Sequence, residues 1–400
     1  MTISGPTDPA ARGSVDPARL DPDSGTELVE DPTAEELSAL PDASPGKLFW
    51  RAFRRHRLAL ISLIVLIGLY VVVLVPEFLA PASADRLNAS YAYAPPQSVH
   101  LKGTAPDGSR HLLYVRGFTS QVDQETNAIS YQSDASKVIG VGFFVHGDQY
   151  KLFGLIRSDI HLIGPKHTGD PFFLLGADAT GRDLLSRMIF GTRVSMSIGL
   201  VGVLIAFILG VILGGVSGYF GGRIDSAIQR VIEFFMSIPT LPLWLALAAA
   251  MPLSWGALTR YFAITVILAI IAWTGLARVV RGRFLSIRSE EYVLAAELDG
   301  NSVFQTIIRH MLPSFTSHLI AQLTLSIPSM IIAETSLSFL GLGLAPPAIS
   351  WGVLLQSAQS LRAIVTAPWL LLPGVAVIIA VLALNFMGDG LRDAADPYRR

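Results

Sequence analysis

The residues of this chain that could do chemistry are few and widely spaced. Glu233 and Glu334 sit at the edges of long apolar runs, and nothing within the runs resembles a proton or sodium relay. His310 and His318 lie in or beside one such run, but no second run offers a carboxylate or histidine to complete a hydrolytic pair. A phosphate-binding loop needs Gly-Lys-Ser/Thr, to set an ammonium and a hydroxyl at phosphate and Mg²⁺. Of five lysines only Lys47 follows a glycine, and Leu48 comes next. Cysteine is absent, which excludes thiol nucleophiles, disulfides and thiolate metal sites. No residue is assigned as catalytic or metal-binding.

The elements around these residues explain the scarcity. Of 400 residues 51% are hydrophobic and 15% charged, with mean hydropathy +0.51, against about 25% charged in a soluble domain. A net charge of −1 draws in no nucleic acid. Charge-free runs predict six membrane-spanning helices near 58–79, 194–217, 231–251, 262–280, 317–337 and 368–388. Pro239 and Pro242 should kink or interrupt the third, and the fourth is the shortest. The expected fold is therefore an all-α polytopic membrane protein.

Basic residues set the orientation. Arg51, Arg54, Arg55 and Arg57 precede the first span; Arg223 and Arg230 follow the second; Arg278, Arg281, Arg283, Arg288 and Arg309 separate the fourth and fifth. Arg392, Arg399 and Arg400 follow the sixth, so both termini are expected in the cytoplasm of a bacterial-type inner membrane. Arg182, Arg187 and Arg193, close to the second span on the opposite side, run against this pattern. Residues 1–46 hold seven prolines, ten acids and no aromatic residue, the composition of a disordered tail.

Residues 81–175 predict a β-rich extracytoplasmic insertion, either a lid or a dock for a substrate-delivery protein. Its strand signals are Leu112 to Val115, Ala128 to Tyr131, Val138 to Val145 and Tyr150 to Ile156, with turns at Asp107-Gly108 and Gly147-Asp148. Residues 176–193 read as an interfacial amphipathic helix on the outer surface leading into the second span, apolar at Leu184, Leu185, Met188 and Ile189. Gly210, Gly214 and Gly218 repeat every four residues in the second span and allow close helix packing, within the chain or with a second subunit. Glu334, followed by Thr335, Ser336 and Ser338, is either a hydrogen-bonded structural carboxylate or part of a translocation path or gate.

The loop between the fourth and fifth spans, within 281–316, carries the most information. Ser289 is the expected N-cap, with Glu290 and Glu291 in the first turn and Gly300 at the end of a short helix. A second helix starts at Asn301 or Ser302, with an apolar stripe of Phe304, Ile307, Ile308 and Met311. Ala295 and Ala296 would let a partner approach the first helix closely.

The run Ala295-Ala296, Gly300, His310-Met311-Leu312-Pro313 resembles the coupling-loop motif of ABC importer permeases. Leu294 stands where that motif has Glu, and His310 where it has an apolar residue. Three further stretches resemble the C-type membrane subunit of dipeptide/oligopeptide (and nickel) importers. They are Leu175 to Arg187 with Gly191 to Ser195; Glu334 to Gly343 with Pro346-Pro347 and Ser350-Trp351-Gly352; and Gly388-Asp389-Gly390 to Pro397. Ala177 departs from Thr in the first, and Tyr398 follows the third where Arg is common.

The resemblance implies a type I importer permease with a transmembrane core over 194–388 and a C-terminal tail from 389. It implies a second homologous permease subunit, two ATPase subunits or one fused ATPase, and an extracytoplasmic binding protein. ATP and Mg belong to the partners, and this chain takes no cofactor. The ATPase contact is expected at Glu291, Ala295, Ala296, Glu297 and Gly300. Peptide is the implied substrate, with a nickel chelate or an oligosaccharide as alternatives. An ion-coupled secondary carrier is the rival outside the family.

Overall fold

The computed structural model describes residues 45–104, 110–122, 129–252 and 254–395. The chain divides into two units, 1–48 and 49–400. The expected tail (up to residue 44), the Asp107-Gly108 turn, Ala128 and residues 396–400 lie outside the described residues.

Helix α1 (Pro45–Arg55) leads into α2 (Arg57–Leu74), which ends before the short α3 (Pro76–Leu79). A sheet of four antiparallel strands follows in the order β1 (Val99–Thr104), β2 (Arg110–Val122), β3 (Ile129–Leu152) and β4 (Ile156–Pro165). The rest is helical: α4 (Leu184–Phe220), α5 (Gly222–Ser237), α6 (Thr240–Ala249), α7 (Ala257–Ile287), α8 (Glu291–Leu298), α9 (Thr316–Phe339), α10 (Trp351–Gln356), α11 (Leu361–Thr366) and α12 (Leu372–Ala395). Among the described residues five stretches are long and apolar enough to cross a bilayer, or up to six if α5 and α6 count as one bent span.

The break in that pair follows from proline. Ile238 is extended, as the residue before proline prefers, and the axes of α5 and α6 differ by 83°. The fourth expected span grows at both ends into the 31-residue α7. Its arginines are good helix formers, and they carry the helix on to Ile287.

The glycine stripe packs within the chain. A Cβ on Gly210 would lie 2.9 Å from the Leu276 side chain, one on Gly214 2.4 Å from the Ala277 carbonyl oxygen, and one on Gly218 2.8 Å from the Arg281 carbonyl oxygen. All three partners belong to α7, so α4 and α7 meet backbone to backbone. Gly390 likewise has no room for a side chain, because Ala59 of α2 stands against α12 there.

The sheet corrects two sequence expectations, the turn at Gly147-Asp148 and the strand from Tyr150 to Ile156. Gly147-Asp148 is not a hairpin turn; it lies inside β3 at a register shift between His146 and Tyr150. A Cβ on Gly147 would fall 2.6 Å from the His161 ring, so the glycine permits close approach. The turn is Phe153-Gly154, both at positive φ (52° and 72°), with the Leu155 N–H donating to the Leu152 carbonyl at 3.0 Å. That is the type I′ geometry that matches strand twist.

The interfacial helix expected over 176–193 starts later than expected, at Leu184. Residues 177–183 form a polar turn, and α4 then runs unbroken from Leu184 for 37 residues, about 55 Å at helical rise. Asp178 makes the turn: it accepts from the N–H groups of Thr180 (2.8 Å) and Arg182 (3.1 Å), from the Thr180 hydroxyl (2.7 Å), and from the Arg182 and Arg187 guanidinium groups. Burial pushes the Asp178 carboxyl up, but the Arg187 charge and these donors outweigh it and hold it below the ordinary value. Arg193 donates to both Glu77 carboxylate oxygens at 2.6 and 2.9 Å. The three arginines that ran against the orientation pattern are thus each paired with a carboxylate.

Asp183 caps α4, accepting from the Ser186 N–H at 2.7 Å, and burial pushes its pKa up to about 6. Its folded pKa therefore lies above the unfolded value of about 3.9. This group's contribution to stability falls as pH rises between those values. Asp183→Asn keeps an N-cap acceptor and removes the charge. The variant should gain on the wild type by up to about 2–3 kcal/mol between pH 4 and 7.5, read as relative thermal midpoints in detergent.

Candidate coupling surface and its tethers

The short helix α8 is built to be held on one side and free on the other. Its N-cap is Glu290 rather than Ser289, because the chain turns extended one residue later than expected. Its C-terminus is a Schellman motif: the Asn301 N–H donates to the Ala296 carbonyl at 3.2 Å and the Gly300 N–H to the Glu297 carbonyl at 3.1 Å. Gly300 sits at φ +80°, the left-handed position that motif requires.

Burial divides the expected contact residues. Val293 is buried, and Ala296 is 4% exposed; Val293 packs in a cluster with Val280 and Phe284 of α7, Met311, and Phe315 and Leu319 at the start of the fifth span. Glu291, Ala295, Glu297 and Gly300 are exposed. Leu294 and Tyr292 join them, and Leu298 stands 88% exposed. The small side chain of Ala296 thus serves close packing within this chain. Large apolar groups at 294 and 298 dominate the outer side, which a motif centred on two alanines does not reveal.

Glu297 is also tied back: the Tyr219 hydroxyl of α4 donates to it at 2.7 Å. Beside it, Arg281 of α7 donates to both oxygens of Asp225 at 2.5 and 2.6 Å, and the Ser217 hydroxyl donates to the same carboxylate at 2.5 Å. One carboxylate at the start of α5 therefore binds the ends of α4 and α7. Sequence reasoning missed Asp225, although an acid in a helix first turn facing a run of arginines was a visible signal.

The second helix of the loop departs from its expected pattern. Ser302 and Gln305 form a capping box, but Thr306–Met311 winds as a π-helix, with the Leu312 N–H donating to the Ile307 carbonyl at 2.9 Å. The wider winding displaces the apolar face. Met311 is buried and Ile307 partly so, whereas Phe304 is 72% exposed and Ile308 is exposed.

At the other end of the bundle, two motifs close on each other. Glu334 is fully buried, and accepts from the Ser338 hydroxyl at 2.8 Å and the Ser195 hydroxyl at 3.2 Å. The Trp351 N–H donates to Ser195 at 3.1 Å, and the Leu344 N–H to Ser338 at 3.1 Å. Glu334 thus joins α4, α9 and the start of α10. A cavity of about 290 Å³ opens elsewhere between the long helices, lined by residues including Trp244, Gln322, Ser326 and Ser329, and not by Glu334.

The family model described as "Binding-protein-dependent transport system inner membrane component" matches residues 206–400, and "N-terminal TM domain of oligopeptide transport permease C" matches 44–96. The dipeptide transport system permease protein DppC of Bacillus subtilis (strain 168) is 41% identical over 227 residues, 56% of this chain and 68% of that protein. DppC of Lactococcus lactis subsp. cremoris is 30% identical over 376 residues, 93% of this chain and 94% of that protein. The chain belongs to the inner-membrane permease family of binding-protein-dependent transport systems. The oligopeptide permease OppC of Haemophilus influenzae, at 36% identity over 61% of this chain and 76% of that one, is a further similar member. A chain of the inward facing MetNI methionine ABC transporter covers 52% of this permease at 19% identity, with a TM-score of 0.42. This permease is a multi-pass membrane protein with the long apolar helices described above.

Proposed function

We propose that this permease forms half of the membrane pathway of an ATP-driven importer for dipeptides or oligopeptides, and that α8 is where a partner ATPase grips it. Both termini then face the cytoplasm, and the sheet segment lies outside, where a binding protein delivers substrate. A second homologous permease subunit completes the pathway. Catalysis, ATP and Mg stay with two ATPase subunits or one fused ATPase. Relatives named for dipeptide and oligopeptide transport support the substrate class; a nickel chelate or an oligosaccharide is the alternative.

The observation that carries the reading is the two-sided burial of α8, with Val293 and Ala296 held inside and Leu294, Ala295 and Leu298 outside. A helix so held passes a push on its outer side to the long helices as a rigid-body movement. Glu291 and Gly300 flank that face, and Glu297 keeps the helix in register through Tyr219. Glu334 acts as a structural tie beside the pathway rather than as its gate, a reading supported by its serine partners.

The test is cross-linking in the assembled transporter. Cysteines at Ala295 and Leu298 should cross-link to the ATPase, and a cysteine at Ala296 should not. Cross-linking from Ala296 with none from Leu298 would refute the assigned face.

A further inference from the structure

The sheet segment meets the membrane body where α2 ends, and an aromatic cluster sits at that junction. The exposed stripe of α2 runs through Ile61, Ile64, Ile67, Val71 and Leu74, and beyond the break at Val75 the half-buried Phe78 of α3 lies four residues past its end. Phe78 packs on Phe144 of β3, with ring centroids 6.1 Å apart. Phe143 and Phe144 are each 65% exposed. Neighbours on a regular strand alternate faces, but Phe144 has φ +54°, which interrupts the alternation. That conformation is an outlier for a bulky side chain, and such outliers gather at functional positions.

Hydrogen bonds fix the height of these rings above the span. The Ala80 carbonyl accepts from His161 Nδ1 at 2.6 Å, and the Ser83 N–H donates to Asp148 at 2.9 Å. Arg193 donates to the carbonyl oxygens of Val73 (2.9 Å) and Leu74 (3.2 Å), the last two residues of the span, besides pairing with Glu77. Lys166 stands beside Gly142, one residue from Phe143, and is exposed.

We propose that Phe78, Phe143 and Phe144 seat the sheet segment in the headgroup layer of the leaflet at this end of α2, with Lys166 directed to lipid phosphate. Continuity selects lipid as the occupant. The patch stands where the apolar stripe of a membrane-crossing helix ends, at the boundary where aromatic rings concentrate and a lysine stem can snorkel. The sheet segment is thereby a membrane-anchored platform, a property independent of the substrate and of the ATPase contact.

The absence of cysteine makes the test clean. Phe143→Cys and Lys166→Cys, each labelled with nitrobenzoxadiazole before assembly of the full transporter in nanodiscs, are compared with Leu101→Cys on β1. The labels at 143 and 166 should be at least threefold less open to aqueous iodide than the label at 101. They should also be quenched at least twofold more by headgroup-labelled than by chain-end spin-labelled lipid. Iodide access equal to that at 101 overturns the proposal. Shielding from iodide without lipid quenching also overturns it, and assigns the patch to a protein partner.

Discussion

Ala296→Arg is expected to release α8 from the bundle while the long helices stay folded. At a position 4% exposed a guanidinium would be buried, at a cost of several kcal/mol. Undocking the helix instead gives up the burial of Val293 and Ala296, about 2–4 kcal/mol, and the Tyr219–Glu297 hydrogen bond, about 1 kcal/mol. Undocking costs less, so the helix should swing out. Amide hydrogen exchange should lose protection across 291–298 alone, and stimulated ATP turnover in the assembled transporter should fall at least tenfold. Ala295→Arg, on the exposed side, should weaken turnover with protection intact. If Ala296→Arg kept wild-type protection, the inward assignment of that residue would be wrong.

Gly214→Leu should prevent α4 and α7 from packing. The first atom of any side chain there meets the Ala277 carbonyl oxygen at 2.4 Å and its Cα at 2.9 Å. Backbone cannot rotate away as a side-chain tip can, so the helices must separate. The loss should be about 3 kcal/mol or more, at the upper end of overpacking, seen as aggregation on size exclusion after detergent extraction. Gly68→Ala, where no atom lies within 4 Å, is the control. It should be neutral or stabilising by up to about 1 kcal/mol. Normal extraction of Gly214→Leu would mean that α4 and α7 do not meet as described.

Much of the architecture was legible because its causes are local. Charge-free runs mark helices that cross a bilayer, Pro239 marks the bend, and Gly300 closes α8 where a left-handed residue is needed. What escaped depends on neighbours distant in sequence. Gly147-Asp148 has the composition of a turn, yet the glycine exists to admit His161, which lies on another strand. The amphipathic pattern near 184 is real, but nothing in it says that Asp183 starts one continuous 37-residue helix.

The candidate site shows the same division. The motif located α8 but not its inward side, because Ala295 and Ala296 are chemically alike and only burial in the fold separates them. The stripe from Phe304 to Met311 assumed ordinary helical winding, and the π-turn displaced it. Leu298 carried no signal of its own: a leucine one position before the helix cap reads as core until the structure leaves it bare.

The carboxylate at Asp225 has one more consequence. By clasping Arg281 and Ser217 together it leaves little slack between three long rods at the end that carries α8. Weakening that clasp would act as backlash does in a gear train: fuel would still be spent, while each stroke delivered less travel at the far end.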